Sequence, residues 1–411
     1  MKIRKVEKDS VRPVIVGGFG PPTLACVRSW GIQGLPVGMV WIGSKKEPRP
    51  SSKYLTESIT IPAEKLYTPD GIEIIKEFLI RFRATGITCV AESVACWLND
   101  HRQMFPDEVA TWLPTNESIK DLISKQKQIE IARKVHFNIL PTYLIDKNSE
   151  TSDHIPKNHF PLCLRPDDPA TVTPVFKAHL VHSQEELIKY VKSMQKIDGP
   201  IVAQPFMRLP NLVVHGARTV NGDSIGLQGF LVGRKFEGVT LTIRPINVER
   251  DFLDKCGQFT DYFNVTGNYH FEFLVDKKNG SVYFLELNNR LGGTTAKVLA
   301  CGYDEPLLSL QAYGAVPIFH QPSTVVHRPL TNVTVSSKQA LLKYFYYTIR
   351  GRLTPLDYPW EPKPIRILKT IYGFLRYRDD VFMFRDLRGS LALYLGNLKN
   401  YLPLLSFSRK S

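Results

Sequence analysis

Residues 269–293 read YHFEFLVDKKNGSVYFLELNNRLGG, and this stretch restricts the possible folds more than any other. Two runs rich in aromatic and branched residues flank DKKNGS, so the segment returns on itself as an antiparallel hairpin. A three-residue loop, Lys278-Asn279-Gly280, with its glycine left-handed, is a favoured connection. Lys277 then faces Ser281, and counting back along the ladder sets Glu272 opposite Glu286. Alternate residues of a strand share a face. Glu286, Asn288 and Arg290 therefore point one way, with Leu285 and Leu287 on the buried side. His270 and Glu272 share a face opposite Phe271 and Phe273.

Directly opposed residues have Cβ atoms ~4.5–5.5 Å apart. Two carboxylates that close repel unless a cation lies between them or one is protonated. Asn288 adds a neutral oxygen next along the strand. A small set of oxygen ligands suits Mg2+, with Mn2+ as a second candidate ion, completing its shell from waters and phosphates. The competing reading is a surface hairpin whose carboxylates are solvated or paired with lysines such as Lys277 and Lys297. A one-residue slip in register would favour it.

The rest of the chain supplies the frame. VRPVIVGG (11–18), LPVGMVWIG and ITCVAES read as buried strands. PPTLACVRSWGIQG and GIEIIKEFLIRFRATG read as helices between them. This alternation predicts a small parallel sheet covered on both faces. The loop GGFGPP departs from a dinucleotide fingerprint and has no convincing ribose acid after it; a tight turn into a helix, or a helix N-terminus holding a substrate carboxylate, reads better. From Asn116 the pattern changes. NESIKDLISKQKQIEIARKVHF is helical, ILPTYLI and FPLCLRP are strands, and SQEELIKYVKSMQ opens with an S-x-x-E capping box at Ser183 and Glu186. IVAQPFM, LVVHGARTV, SIGLQGFLVGR, GVTLTIRPI, YHFEFLVD and SVYFLEL then follow as strands of an antiparallel sheet, an α+β arrangement. From about residue 335, LLKYFYYTIRGRL and the segment Ile365 to Phe407 mix aromatics with Arg and Lys. They read as helices with basic faces, packed on the body or touching an anionic membrane surface.

Composition narrows the function classes. The chain has 411 residues, 43% hydrophobic and 22% charged, in the range of a globular protein. No run reaches the roughly 18 apolar residues of a membrane span, and MKIRKVEKDS has no secretory h-region. Six scattered cysteines without a CxxC pair favour reduced thiols in a cytoplasm. The net charge of +14 suits nucleotides, acidic metabolites or an anionic membrane. Without a long Lys/Arg run or an aromatic RNA-binding signature, no nucleic-acid partner is expected.

Glu-x-Asn-x-Arg at 286–290, followed by Gly-Gly and the helix TTAKVLACGYD, resembles the signature of the ATP-grasp superfamily. The resemblance spans about residues 11 to 315 and includes the order of elements. It implies an α/β and α+β chain, an ATP-grasp fold preceded by a small Rossmann-like α/β domain, with a helical, basic C-terminal tail. The implied domains are 1–115, 116–330 (two subdomains with ATP between them) and 331–411. Carried over residue by residue, the resemblance implies that Glu272, Glu286 and Asn288 hold Mg2+ on ATP. Arg290 would then be the catalytic arginine near the γ-phosphate and acyl group. It further implies nucleotide contacts from Lys125 (with Lys127 close enough to confuse the assignment) and from Arg165, which stands where the family has lysine. The backbone of Gln204 and Phe206 would meet the adenine edge. Asn211 stands where a ribose acid is common, and Arg234 and Lys235 lie in an adjoining loop. The loop around Gly233 to Gly238 would act as a lid.

The implied reaction joins a small-molecule carboxylate to an amine. The carboxylate attacks the γ-phosphorus of ATP, and the amine displaces phosphate from the acyl phosphate. The general base is not evident: His270 and His215 read as structural histidines as readily as catalytic ones. A kinase of the same fold would share every residue named. Two rival functions stay open beside these, a non-catalytic nucleotide-binding protein and a nicotinamide enzyme using GGFG.

Overall fold

The computed structural model describes residues 11–44, 49–146, 155–318 and 333–405, with side chains to residue 396. The first ten residues, the boundary expected at 330 and Phe407 lie outside them.

The N-terminal sheet has five parallel strands: β1 (Pro13–Gly17), β2 (Gly38–Ile42), β3 (Glu57–Ile61), β4 (Gly86–Cys89) and β5 (Ala110–Thr111), in the order β3-β2-β1-β4-β5. Its helices are α1 (Pro21–Ile32), α2 (Ala63–Leu66), α3 (Pro69–Phe82) and α4 (Glu92–Asp100). Every residue of β1 is buried, as befits a parallel strand covered on both sides. Val14 and Val16 pack with Ile75, Phe78 and Leu79 of α3, whereas Ile15 packs with Val27 and Trp30 of α1. Three of these strands are legible in the sequence. β3 and β5 escape because one is only partly buried and the other is two residues long.

The helix expected over 116–137 is two helices, α5 (Asn116–Ile123) and α6 (Lys125–Lys134). Ser124 breaks it. Its backbone is extended, and its hydroxyl accepts the N–H of Lys127 as the N-cap of α6. A four-stranded antiparallel sheet follows, β6 (Tyr143–Ile145), β7 (Leu162–Pro166), β9 (His179–Val181) and β11 (Ile201–Pro205), ordered β6-β11-β7-β9. A short pair, β8 (Val172–Thr173) with β10 (Lys196–Ile197), flanks it. In α7 (Gln184–Ser193) the Ser183 hydroxyl caps the Glu186 N–H. Glu186 reaches back to the N–H of His182, one residue before the cap.

The six strands expected in one sheet are divided. β11 belongs to the four-stranded sheet, and residues 206–210, between Pro205 and Pro210, carry the chain across. The seven-stranded sheet is β12 (Asn211–Arg218), β13 (Ser224–Phe236), β14 (Val239–Ile246), β15 (Gly267–Val275), β16 (Val282–Asn288), β17 (Val335–Ser336) and β18 (Arg378–Asp379), ordered β16-β15-β12-β13-β14-β17-β18. With it come α8 (Arg250–Tyr262), α9 (Thr295–Ala300), α10 (Glu305–Ala312), α11 (Lys338–Ile349), α12 (Lys363–Arg376) and α13 (Leu387–Leu405). One face carries an aromatic core of Phe271, Phe273, Phe284, Phe137 and Phe259. The other packs Val213 and Phe230 against Val298, Tyr303 and Leu308 of the α9–α10 region. Among the described residues no helix is long and apolar enough to cross a membrane.

Candidate functional site

The site grows from the β15–β16 hairpin. Near its turn the pairs are Val275–Val282, Leu274–Tyr283 and Phe273–Phe284. The Asp276 N–H bonds the Ser281 carbonyl at 2.8 Å, and Gly280 is left-handed at φ 76. The loop is therefore four residues, 277–280, one longer than expected. That register alone would set Glu272 against Leu285. A bulge shifts it between Phe273 and Glu272, and beyond it Glu272 faces Glu286, Phe271 faces Leu287 and His270 faces Asn288. The expected carboxylate pair is present for a different reason. The bulge also moves the buried side. Phe284 and Leu287 are buried three residues apart, whereas Leu285 is only partly covered.

Cations from other elements meet these carboxylates. The Lys235 ammonium, on β13, lies 3.0 Å from Glu272. Arg165, on β7, lies 3.4 Å from Glu286 and donates to the Gln204 side chain at 2.8 Å. Gln204 in turn donates to the Thr142 hydroxyl. Burial alone would raise the Glu272 carboxyl, but Lys235, Arg165 and Arg290 hold it below the ordinary carboxylate value. Asn288 donates to Glu286 at 3.3 Å.

Lys125 opens α6 and lines a cavity of about 90 Å³ with Glu92, Glu286 and Asn288. Its ammonium donates to the Asp167 carbonyl at 3.3 Å. Burial lowers its pKa, opposed by Glu286. Lys127 instead pairs with Asp121 on the exposed side, which separates two lysines the sequence could not. Asp167, a residue that carries no sequence signal, accepts from Ser124 and the Gln126 N–H and so fixes the start of α6. Arg290 reaches Glu92 on α4, with Nε 2.9 Å from Oε1. Glu92 is the other residue that sequence reading missed, and it carries no motif that could have found it. A Cβ on Gly292 would lie 2.7 Å from Arg290 Nη1, so the glycine leaves room for the guanidinium.

Arg234 is turned away from the cluster. It is 4% exposed, donates to the Thr370 hydroxyl of α12 at 3.0 Å and lies over the Tyr344 ring at 4.6 Å. Two bulges flank it in β13, which sends Arg234 and Lys235 to different partners. The expected lid around Gly233 to Gly238 is the end of β13 and a tight turn in which Glu237 and Gly238 have φ 50 and 73. Positive φ at both residues matches a hairpin turn rather than a free loop. The Asp357 carboxylate accepts from the Glu237 N–H, and Lys343 pairs with the Glu237 side chain. Gln204 stands in the ladder opposite Cys163. The Phe206 N–H donates to the Pro161 carbonyl at 2.8 Å. Asn211 begins β12 opposite Leu274, one side-chain repeat along the face from Glu272.

Behind the cluster lie His215, His270 and Glu305, all buried. The histidine rings stack at 5.3 Å, and His215 Nδ1 is 2.8 Å from Glu305. Glu305 also accepts from Thr295, whose hydroxyl accepts the Gly292 N–H, so this buried acid holds the Gly-Gly loop. Burial would raise the Glu305 carboxyl, but His215 and Thr295 bring it below its usual value. Burial and the neighbouring His215 and Arg290 push His270 down to about 3, keeping it neutral. Potential ligand atoms of the three lie within 4.8 Å of one another, but His215 and Glu305 are already engaged with each other.

The arrangement thus gathers four cations (Lys125, Arg165, Lys235, Arg290) around three carboxylates (Glu92, Glu272, Glu286). Such a site can balance a polyanion that arrives with a divalent cation. No family model matches the sequence, and no curated protein matches it. Solved structures do match in fold. The chain is similar to the complex of biotin carboxylase with β,γ-ATP from Campylobacter jejuni, with a TM-score of 0.61 and 16% identity over 78% of this chain and 74% of that one. It is similar to the L-amino acid ligase of Bacillus licheniformis, with a TM-score of 0.56 and 14% identity over 77% of each chain. It is also similar to the ADP complex of purK, N5-carboxyaminoimidazole ribonucleotide synthetase, with a TM-score of 0.62 and 10% identity over 91% and 98%. At these identities the likeness is one of fold alone.

Proposed function

We propose that this chain is an ADP-forming ligase that activates a carboxylate with Mg-ATP and joins it to an amine. The observation that carries the reading is the pairing of Glu272 with Glu286 across β15 and β16, with Asn288 next along the strand and cations closing in from separate elements. Two carboxylates built opposite each other cost repulsion that serves no packing purpose. The donors are all oxygen, the carboxylates are held in the charged form at Glu272, and this chemistry fits Mg2+. Glu272, Glu286 and Asn288 would hold the ion, which when bound neutralises charge on the triphosphate oxygens.

The chain's own residues do the remaining work in this reading. Lys125, Arg165 and Lys235 bind phosphate oxygens, exchanging their present carboxylate and carbonyl partners for them. Arg290 offers rigid donors to the transferring phosphoryl group and then to the oxyanion formed when the amine attacks the acyl phosphate. Glu92 holds Arg290 in place until substrate arrives. Positioning and electrostatics dominate such a phosphoryl transfer. The ADP complex of purK and the β,γ-ATP complex of biotin carboxylase support a nucleotide in this fold, and the L-amino acid ligase supports the reaction class. The six cysteines, all free, fit a reducing cytoplasm.

The test is ADP release with Mg2+ present, screened over carboxylates crossed with amines. The reading expects release that needs both partners, with an amide as product. ADP formed with a hydroxyl or phosphate acceptor and no amide would replace the ligase with a kinase of the same fold.

A further inference from the structure

The C-terminal helices carry a surface that the proposed chemistry does not use. Of the 23 large apolar residues exposed among the described residues, 13 fall between Leu342 and Leu395. A stretch of about an eighth of the chain thus holds more than half of them. Exposure on that scale marks an interaction surface rather than scatter.

The residues are ordered. On α12, Ile365, Leu368, Ile371, Tyr372 and Leu375 are all exposed, Leu368 at 67% and Leu375 at 74%. At 3.6 residues per turn they occupy one arc of about 120°. The opposite side of the helix is anchored: Thr370 and Gly373 are buried, and Thr370 accepts from Arg234. On α13, Leu387, Leu391 and Leu395 recur every fourth residue as an exposed stripe. Phe382 and Phe384 precede it edge to face, with Phe384 81% exposed. α11 packs against both helices.

Charge on this region has one sign. Between residues 337 and 396 all eight exposed charged side chains are Lys or Arg. The five acids are buried or half-buried and engaged. Asp380 meets Lys297, Asp386 meets Arg28, Asp379 accepts from Tyr394, Asp357 holds backbone N–H groups and Glu361 pairs with Lys369. Arg376 flanks the apolar arc of α12, and Arg385 and Arg388 lie beside the aromatic pair and the leucine stripe.

We propose that the outer face of α12, together with Phe382, Phe384 and the leucine stripe of α13, binds the surface of an anionic lipid bilayer. Aliphatic side chains gain nothing from a nucleic acid, whereas a bilayer accepts them between headgroups that attract the arginines. A second copy presenting the same face would set basic residues against basic residues. Helices lying in the interface plane need not be long enough to span the membrane.

Flotation of the full chain with vesicles tests this. One set is phosphatidylcholine alone, and the other contains about a third phosphatidylserine, enough to set up a negative surface potential. The chain should float with the anionic vesicles and bind neutral ones about tenfold or more weakly. Leu368→Glu with Leu375→Glu should cost about tenfold or more on anionic vesicles, with an unchanged melting curve because both side chains are already exposed. Salt at about 1 M, where the screening length is ~3 Å, should weaken binding by the wild type. The proposal is overturned if the wild type stays unbound on anionic vesicles, or if the double variant binds them as tightly. A concentration-dependent dimer that the double variant abolishes, without lipid binding, would assign the face to a second copy instead.

Discussion

The β15–β16 hairpin and the C-terminal helices α11–α13 both set charged residues beside large apolar ones, and they dispose of the charge in opposite ways. In the hairpin the apolar residues face inward, where Phe271, Phe273 and Phe284 stack with Phe137 and Phe259. The charges face a cleft, and each carboxylate there meets a cation from a different element. Around the helices the acids, all in the segments between them, are buried or half-buried and partnered, and the apolar residues join the arginines outside. A charge balanced by partners from several elements is poised to exchange those partners for a bound polyanion. Charge of one sign left on the surface can be balanced only by something outside the chain.

The comparison breaks most directly at Glu286. Glu286→Gln keeps the shape of the side chain and its place opposite Glu272 but removes one anionic oxygen donor. Mg-dependent ADP release should fall by about a thousandfold or more, with the thermal transition retained. Normal ADP release with the true substrates would show that the hairpin's carboxylates serve only their ion pairs with Lys235 and Arg165. Arg290→Ala comes next. Removing a donor aimed at developing charge costs about 10²–10³-fold in kcat. A rise confined to KM for ATP would make Arg290 a binding residue without a part in the transition state.

A finer cut separates the neighbours Arg234 and Lys235, one belonging to each region. Lys235→Ala should raise KM for ATP by about tenfold and leave the melting temperature nearly unchanged. Arg234→Ala removes a buried hydrogen bond and a cation–π contact, about 1–3 kcal/mol together. It should lower the melting temperature while KM for ATP stays within about twofold. If both variants behaved alike, the division between site and extension would not run through β13.

Adjacent basic residues show why parts of the site were hidden in the sequence. Alternation located Glu272, Glu286 and Asn288 because burial of one strand face is a strong constraint. It could not separate a three-residue loop from a four-residue loop followed by a bulge at Leu285, since both give the same carboxylate pair. Nor could it see the bulges that part Arg234 from Lys235. Glu92 meets Arg290 from 198 residues away, a contact that only tertiary packing creates. The break at Ser124 was legible in principle, since a serine beside a helix-opening lysine can cap as well as continue a helix. The placement of β11 in a separate sheet was not, because a strand's pattern does not name its neighbours.

The smallest expected effect is a slope. His270 lies on the hairpin's polar face, with His215, Glu305, Arg290 and Glu286 as its charged or titratable neighbours. Its pKa drops from 6.5 to about 3. Between these values the unfolded chain binds a proton that the folded chain refuses. Stability therefore rises with pH across this window and is lost as pH falls from 6.5 towards 3. One such group contributes a slope of at most about 1.4 kcal/mol per pH unit. Denaturant unfolding in buffer with a chelator, at steps from pH 6.5 to about pH 4, should show a shallower slope for His270→Gln than for the wild type. Equal slopes would mean that His270 is charged in the fold, or that its neighbours offset the burial. The outer face of the extension has no counterpart to this behaviour. Its exposed charges are Lys and Arg, residue types whose ordinary pKa values lie far above the window. Arg385→Gln with Arg388→Gln should therefore leave the slope as it is in the wild type, and a change there would mean that the two regions share one electrostatic network.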